Sequence, residues 1–263
     1  MNGNLRKLIK LAIPPALLLS VVLIVWDGLV LYTKTPAYLV PRPLDVVDVF
    51  SSDWNTLLWA SLRTALAALL GLSISTILGT LTACLFSQFR WIRSSCYPYV
   101  IFFNTVPIVA LAPLVIIWFD AGLHSIVLIT SILTLFPIIT STTTGLLAAE
   151  RHYHELFQLY NASRWQTLWK LQFPFAVRYL INGIQTACGL SIVGAVIGEH
   201  FAGQQSNAKG LGYLIFATQG QLKVDRTFAA ILCSTLLGIV LFGTMTLLSN
   251  TLLKRWYAHS SEA

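Results

Sequence analysis

Long apolar runs separated by short polar segments dominate this 263-residue chain. A bilayer core requires about twenty mostly apolar residues for each crossing helix. The runs that meet this requirement predict six transmembrane helices, at roughly 9–31, 57–86, 97–118, 124–147, 177–198 and 228–252. The two-residue alternation of membrane β-strands is missing from these runs. The pattern therefore predicts an all-α integral membrane protein with one transmembrane domain over residues 1–263.

Proline and small residues give individual spans their own features. Pro98, Pro107 and Pro113 occur in the third run and Pro137 in the fourth. Each is expected to kink or break its helix, because proline lacks a backbone N–H. Small residues recur at four-residue spacing in three stripes: Gly71-Ser75-Gly79-Ala83, Ser141-Gly145-Ala149 and Gly194-Gly198-Ala202. Such stripes predict close helix packing in lipid, although a stripe of this kind can also line a pore.

Positive charge is distributed unevenly between the two sides of the predicted bundle. Eleven lysines and arginines fall on the side of Met1, and five or six fall on the other, depending on Arg63 at the start of the second span. Because cytoplasmic loops carry the excess of positive charge, both termini and the segment around Trp165 are expected in the cytoplasm. Asp120 and Asn207 are then expected outside. The first apolar run is too long for a signal peptide and lacks a cleavage site, so it is expected to remain as a span.

Composition and missing motifs exclude several classes of protein. Apolar residues make up 56% of the chain and charged residues 10%, which predicts lipid as the solvent. The net charge of +7 is divided among short clusters instead of one soluble face, which argues against nucleic-acid binding. The cysteines form no C-x-x-C pair and have no histidine at metal-ligand spacing, so neither a metal site nor a cofactor is predicted. They are Cys84, Cys96, Cys188 and Cys233.

The chain also lacks the motifs of an energy-converting enzyme. It contains no G-x-x-x-x-G-K-[ST] phosphate loop and no arrangement of nucleophile and base for an intramembrane hydrolase. We therefore predict that it is not an enzyme. An ion-coupled secondary transporter is the alternative class. Such transporters bury acidic residues near the bilayer midplane, whereas Asp27 and Glu199 lie near the ends of predicted spans.

A polar and aromatic segment between the fourth and fifth spans carries the most informative spacing. Glu155 is followed six positions later by Asn161, and thirteen positions after that by Pro174, which ends Leu171-Gln172-Phe173-Pro174. This spacing resembles the cytoplasmic signature loop of binding-protein-dependent ABC importer permeases. That family usually has two alanines after the glutamate and a glycine at the small position. This chain has Leu156, Phe157 and Asn161 there.

Further pieces resemble the nitrate/sulfonate/taurine branch of these permeases, which also includes transporters of vitamin precursors. The resemblance runs from about Ser61 to Trp256 and rests on the order and spacing of short matches. They are Ser61-Leu62-Arg63, Asn104 to Leu114 with Pro107 and Pro113, Trp118-Phe119, Phe136-Pro137-Ile138, Ala162 to Gln166, Gly183, Glu199, and Gly210-Leu211-Gly212-Tyr213. Where relatives usually have glycine after Trp-Phe, Asp120 is expected to alter the outer turn.

The resemblance implies the six-helix fold of a type I ABC importer permease in a bacterial inner membrane. Two copies of the chain, as a homodimer, would form the translocation path. A separate ABC ATPase subunit would supply the energy, and an extracytoplasmic substrate-binding protein would deliver a small solute. The family relatives carry nitrate, sulfonates, taurine or pyrimidine-type precursors, and the resemblance does not choose among them.

The same resemblance implies a coupling segment at 150–175, with a short coupling helix from about Glu155 to Trp165 that docks on the ATPase. Its expected coupling residues are Glu155, Leu156, Phe157, Tyr160, Asn161, Arg164, Trp165 and Pro174. Exposed Phe157, Tyr160 and Trp165 would act as anchors, with Glu155 at the helix N-terminus. The alternative is a helix that only lies on lipid headgroups.

Candidate residues of the translocation path or gate are Asn104, Pro107 and Glu199. Two environments are open for Glu199, which ends the fifth span next to His200. The carboxylate could be an interfacial group that reaches water, or it could face the dimer axis as a gate.

Overall fold

The computed structural model describes residues 2–203 and 209–260, and it describes side chains within 13–203, 209–249 and at residue 251. The expectation for Asn207 therefore lies outside the described residues. The α-helices, in chain order, are α1 Asn2–Thr33, α2 Pro43–Ser52, α3 Trp54–Gln88, α4 Arg90–Thr105, α5 Ile108–Phe119, α6 Leu123–Leu146, α7 Arg151–Leu159, α8 Arg164–Thr167, α9 Phe173–Ala202, α10 Leu211–Gly220 and α11 Val224–Ser260. A π-helical turn, Leu168–Gln172, joins α8 to α9.

Five helical stretches in the described ranges are long and apolar enough to cross a membrane. They are formed by part of α1, by α3, by α6, by the helical path that ends with α9, and by part of α11. In the region of the third expected span, α4 and α5 meet at a bend of 98° and form a sixth span if the pair is counted as one. The break lies at Val106-Pro107, where Val106 has φ −69° and ψ 125°. Proline disfavours the helical conformation of the residue before it. The helices continue through Pro98, Pro113 and Pro137. Of the four prolines, only Pro107 breaks a helix.

The core of the molecule is α6, packed between α3 and α9. A Cβ added at Gly71 of α3 would lie 2.5 Å from Thr130 Cγ2, and one added at Gly194 of α9 would lie 2.9 Å from Thr130 Cα. Both distances are too short for a larger residue without movement. Thr134 Oγ1 of α6 also donates a 2.8 Å hydrogen bond to Ser75 Oγ of α3. At these positions the small-residue stripes serve close packing, which confirms the packing interpretation.

Two short helices that the sequence analysis did not predict, α2 and α10, pack at one end of the bundle. Val46 and Val49 of α2 and Leu211 of α10 form a buried cluster with the first turns of α3 and α11. Arg226 donates a 2.9 Å bond to Asp53 at the same end. We call this the α10 end. The opposite end, where α3 and α6 finish and α7 lies, is the α7 end.

The first helix lies at the edge of the bundle, and from Ile13 to Thr33 most of its side chains are exposed. Trp26 contacts Phe228 of α11 with ring centroids 5.6 Å apart. Arg42, just before α2, donates a 2.9 Å bond to Asp27. This hydrogen bond to a carboxylate raises the pKa of the Arg42 guanidinium above its ordinary value. These contacts attach α1 to the α10 end of the bundle.

Candidate coupling site and buried carboxylate

The short helix after α6 begins earlier than the sequence analysis expected. It starts at Arg151 after Glu150 and ends at Leu159, so Glu155 lies in its middle and Trp165 belongs to α8. The Arg151 guanidinium donates a 2.8 Å hydrogen bond to Glu155, one turn later on the exposed face. The prediction that Glu155 orders the start of the helix is therefore wrong. Its charge is too far from the N-terminus and is paired locally.

The turn that ends α7 depends on Asn161. This residue has a φ of 51°, in the left-handed region. Its N–H donates to the Gln158 carbonyl, and the Ala162 N–H donates to the Phe157 carbonyl, both at 2.9 Å. This is a Schellman C-cap, in which a left-handed residue satisfies the last carbonyls of a helix. The expectation that asparagine can take the place of glycine at this turn is confirmed, because asparagine tolerates positive φ.

After the turn, a continuous helical path leads into the membrane. Ser163 and Gln166 form a reciprocal capping box that starts α8. The helix then continues through the π-turn and through Pro174 to Ala202. The Phe173 N–H donates to the Leu168 carbonyl, five residues back, in the wide turn that precedes the proline. Pro174 therefore does not end the helix, because the wider π-turn accommodates its missing N–H.

The side chains of α7 divide into an exposed apolar surface and a side that faces the protein. Leu159 and Tyr160 are each 80% exposed and Trp165 is 69% exposed, whereas Phe157 is half-buried. The expectation of an exposed Phe157 is corrected accordingly. Phe157 instead lines a groove of about 390 Å³ with Leu156, Tyr160 and Lys170. Leu159, which the sequence analysis did not select, is more exposed than Phe157.

Several contacts connect this segment to the bundle. The Tyr153 ring of α7 lies 5.9 Å from the Phe175 ring of α9. At the end of α3, Gln88 Nε2 donates a 3.0 Å hydrogen bond to Oε1 of the buried Gln172. A polar cavity of about 260 Å³ separates α7 from the end of α3. Its lining residues are Ser87, Gln88, His154, Gln158, Ala162, Arg164, Thr167 and Gln172. The buried Leu168 of the π-turn also packs with Ala83 of α3 and Leu146 of α6, so the segment is attached to α3 and α6 as well as to α9.

At the opposite end of α9, Glu199 lies inside the protein with a relative exposure of 2%. The Thr64 hydroxyl of α3 is 3.0 Å from Oε1 and 2.9 Å from Oε2 and donates to the carboxylate. The Gly212 N–H of α10 donates a 2.9 Å bond to Oε2. Glu199 neither reaches water nor faces outward from the protomer, so both environments expected for it are corrected. The N-terminus of α10 lies against the Glu199 carboxylate and donates a hydrogen bond to it, and no local sequence pattern indicates this contact.

Two glycines and a threonine complete this arrangement. A Cβ at Gly210 would lie 2.0 Å from Glu199 Oε1, and one at Gly212 would lie 2.1 Å from the Val196 carbonyl oxygen. The Thr64 hydroxyl also accepts a 2.9 Å hydrogen bond from the Leu211 N–H. The first N–H groups of α10, which have no partner within the helix, are thus satisfied by groups from α3 and α9. We call Thr64, Glu199, Gly210, Leu211 and Gly212 the Glu199 clasp.

The other candidate path residues lie elsewhere. Asn104 is an exposed residue in the last turn of α4, and Pro107 is exposed at the break before α5. No described hydrogen bond or ring contact joins Glu199 to this break. The described part of α4 has no buried residue, and Tyr99, Phe102 and Phe103 are exposed. The three expected path residues therefore form two separate groups.

Comparison with known proteins agrees with this architecture. Residues 75–254 match the family "Binding-protein-dependent transport system inner membrane component". The formylaminopyrimidine transport permease protein ThiX of Halalkalibacterium halodurans is 31% identical over 243 residues, covering 92% of this chain and 95% of the relative. The riboflavin transport system permease protein RibX of Chloroflexus aurantiacus is 33% identical over 250 residues, with 94% and 91% covered. The nitrate import permease protein NrtB of Synechocystis is 23% identical, with 87% and 85% covered.

The family match includes α6, α7, α8 and α9, and with them the segment whose spacing suggested the resemblance. The relatives match along nearly their whole length. The chain therefore belongs to the binding-protein-dependent transport system inner membrane components, and it is a multi-pass permease subunit of an ABC importer for a small solute.

Proposed function

We propose that α7, its C-terminal turn and α8 form the surface on which a separate ABC ATPase subunit docks. The observation that carries this proposal is the apolar surface of Leu156, Leu159 and Tyr160 on a short polar helix. These side chains are exposed, and α7 packs only lightly against the other described helices. Large exposed apolar and aromatic side chains of this kind are the anchors of protein interfaces.

Each expected coupling residue has a place in this surface. Leu156, Phe157 and Tyr160 line the groove, which is open to a side chain of the partner. Asn161 sets the direction of the turn, and Trp165 is exposed beyond it. Glu155 is paired with Arg151, Arg164 lines the polar cavity, and Pro174 lies in the helix that leads to the membrane. The first five residues would contact the ATPase, and the last three would hold the segment in shape.

Binding of lipid headgroups is the competing interpretation of α7. Interfacial helices typically carry many lysines and arginines opposite their apolar face. In α7, Arg151 is paired with Glu155, and His152 lies 3.1 Å from Glu150. Within α7 itself little unpaired positive charge is offered to anionic lipid, and the other positive charges of this surface are Arg164 of α8 and Lys170 beside the groove. The charge pattern favours a protein partner.

Co-purification of the ATPase with permease variants tests the proposal. Leu159→Ala and Tyr160→Ala remove the most exposed anchors, and each is expected to weaken assembly by about 1–3 kcal/mol if it is a hot spot. Phe157→Ala is expected to weaken assembly as well, by emptying part of the groove. His152→Ala, an exposed polar change on the same helix, is the matched control. The lipid interpretation would be favoured if the variants recover the ATPase unchanged and if the same substitutions weaken the binding of an isolated α7 peptide to anionic vesicles.

The proposal also sets the orientation in the bacterial inner membrane. The ATPase is cytoplasmic, so its binding to α7 places the α7 end and both termini in the cytoplasm, in agreement with the positive charge on that side. The same co-purification tests this orientation, because it measures whether association of the ATPase depends on Leu159. The α10 end then faces the substrate-binding protein outside. Family membership also replaces the ion-coupled alternative with transport driven by ATP hydrolysis on the partner subunit.

We further propose that two copies of the chain enclose the translocation path, with the α4–α5 break at its side. The exposed aromatic residues of α4 would face the second copy, and Asn104 and Pro107 would line the path near the break. A break exposes backbone carbonyls, which membrane proteins tolerate where they line a cavity. A mass measurement of the purified complex counts the permease copies, and a single copy would contradict the homodimer.

For the cargo, the relatives favour a small nitrogen heterocycle. Two relatives above 30% identity are named for transport of formylaminopyrimidine and riboflavin, whereas the nitrate import permease is 23% identical. We expect the partner binding protein to bind a pyrimidine or flavin-type vitamin compound. Titration calorimetry with formylaminopyrimidine, riboflavin, taurine and nitrate tests this expectation. Tight binding of nitrate or taurine alone would contradict it.

A further inference from the structure

We infer that the Glu199 clasp makes α10 move together with α9, so that Glu199 and Thr64 are positioning residues that connect the outer surface to the coupling segment. The inference rests on the proposed docking of the ATPase at α7 and α8. It assigns to Glu199 a role other than a gate in the path. It also explains why the Gly210-Leu211-Gly212 sequence follows a buried glutamate.

At the Glu199 clasp the backbone of α10 lies very close to α9. Glu199 is buried, and the hydrogen bonds to its carboxylate among the described residues come from Thr64 of α3 and Gly212 of α10. The glycines allow the α10 backbone to approach so closely that a methyl group at Gly210 would overlap the carboxylate. The N-terminus of α10 points its N–H groups at this negative charge, which is the favourable orientation of a helix dipole. Displacement of α10 from α9 and α3 would therefore leave the Leu211 and Gly212 N–H groups without their partners and remove one of the donors to the buried carboxylate.

At its other end, α9 is continuous with the proposed coupling segment. The helical path from Arg164 to Ala202 has 39 residues. At 1.5 Å per residue it is roughly 58 Å long, enough to cross the bilayer and extend beyond it. Its first turn lies in the proposed ATPase-binding segment, and Glu199 lies in its last turn. A tilt of α9 at one end would therefore move the clasp at the other.

The two halves of α10 are attached to the bundle by different contacts. Its C-terminal half is joined to α11 by the Thr218 and Thr227 hydroxyls, 2.8 Å apart. Its N-terminal turn is joined to α9 and α3 through Glu199 and Thr64. Phe216 of α10 also contacts His200 of α9, with ring centroids 4.6 Å apart. Removal of the clasp would therefore leave α10 associated with α11 and in contact with α9 through Phe216, so that α10 follows α9 less closely. This difference can be measured.

The test uses the permease in complex with its ATPase, with the native cysteines replaced and spin labels introduced in pairs. Tyr32, exposed at the end of α1, is the reference position. One reporter is Gln219 on α10, and the other is Val193 on α9, both exposed. Distances are measured by electron–electron resonance before and after trapping with Mg-ATP and orthovanadate. In the wild-type chain both reporters are expected to shift.

Thr64→Val removes the donor to Glu199 and the acceptor for Leu211 while it keeps the shape of the side chain. It is expected to reduce the shift at Gln219 and to leave the shift at Val193. Glu199→Ala should act in the same way, and Thr64→Ser should restore the shift because it keeps the hydroxyl. Thr218→Val, at the other attachment of α10, is the control that should retain both shifts. ATPase recovery and thermal stability are measured for each variant, so that a misfolded protein is recognised.

Two results would overturn the inference, and they have different meanings. If Gln219 shifts as in the wild type in both Thr64→Val and Glu199→Ala, the clasp does not connect α10 to α9. If neither reporter shifts in the wild-type complex, ATP does not move α9, and the proposed coupling route fails with the clasp.

Discussion

At the scale of single residues, positions where this chain departs from its relatives keep the backbone conformation that glycine usually provides. Asn161 has a left-handed conformation at the end of α7, and Asp120 has φ 65° and ψ 160° between α5 and α6. Asparagine accepts the first conformation at little cost. The second lies in a region that is used almost only by glycine. The turn at Asp120 therefore has a backbone conformation typical of glycine with a strained residue in it, and the altered outer turn relative to the family stays a prediction.

Asp120→Gly is therefore expected to stabilise the protein. Strain of this kind costs about 1–3 kcal/mol, and part of the gain is offset by the greater freedom of glycine in the unfolded chain. We expect a net gain of about 1 kcal/mol, or a rise in Tm of about 2–4 °C in detergent. Asp120→Asn is the matched control and should be nearly neutral. A lower Tm for Asp120→Gly would mean that the aspartate side chain contributes more than its strain costs.

At the scale of helices, local signals predicted where helices end better than where they continue. Pro107 breaks its span because Val106 is extended, yet Pro174 lies in a helix that a π-turn carries past it. Both prolines exert the same local restriction. The neighbouring residues decide between a break and a wider turn. The same limit applies to α2 and α10, which are too short to be recognised as spans and are held by contacts at the α10 end.

Helix packing around α6 leads to a prediction with an internal control. Gly194 and Gly189 lie on the same helix, but a Cβ at Gly194 would be 2.9 Å from Thr130 Cα, whereas a Cβ at Gly189 would have no neighbour within 4 Å. Gly194→Ala is expected to destabilise the protein by about 1–3 kcal/mol through overpacking. Gly189→Ala should have little effect. Thermal unfolding of both variants in the same detergent measures the difference, and equal Tm values would contradict close packing at Gly194.

At the scale of the whole molecule, sequence reasoning located the membrane domain and singled out the segment that we propose as the coupling segment, but it missed the relation between the two ends. Glu199 was recognised as an unusual acid near the end of a span. Its partner Thr64 lies 135 residues away along the chain, and their contact depends on how α3 packs beside α9. Leu159 was missed for a related reason, since its exposure follows from the direction that α7 takes after Glu150. No periodicity in the chain encodes either fact.

The membrane class, the number of apolar runs, the left-handed turn at Asn161 and the family resemblance could all be obtained from the amino-acid sequence. These properties depend on hydrophobicity, backbone preference and spacing, which are local along the chain. The tertiary structure alone decided that Glu199 is buried under α10 and that Phe157 is turned partly inward. It also decided that one helix runs from the coupling segment to the clasp. These properties require segments far apart in sequence to meet, and their contacts are set by the packing of α3, α6 and α9.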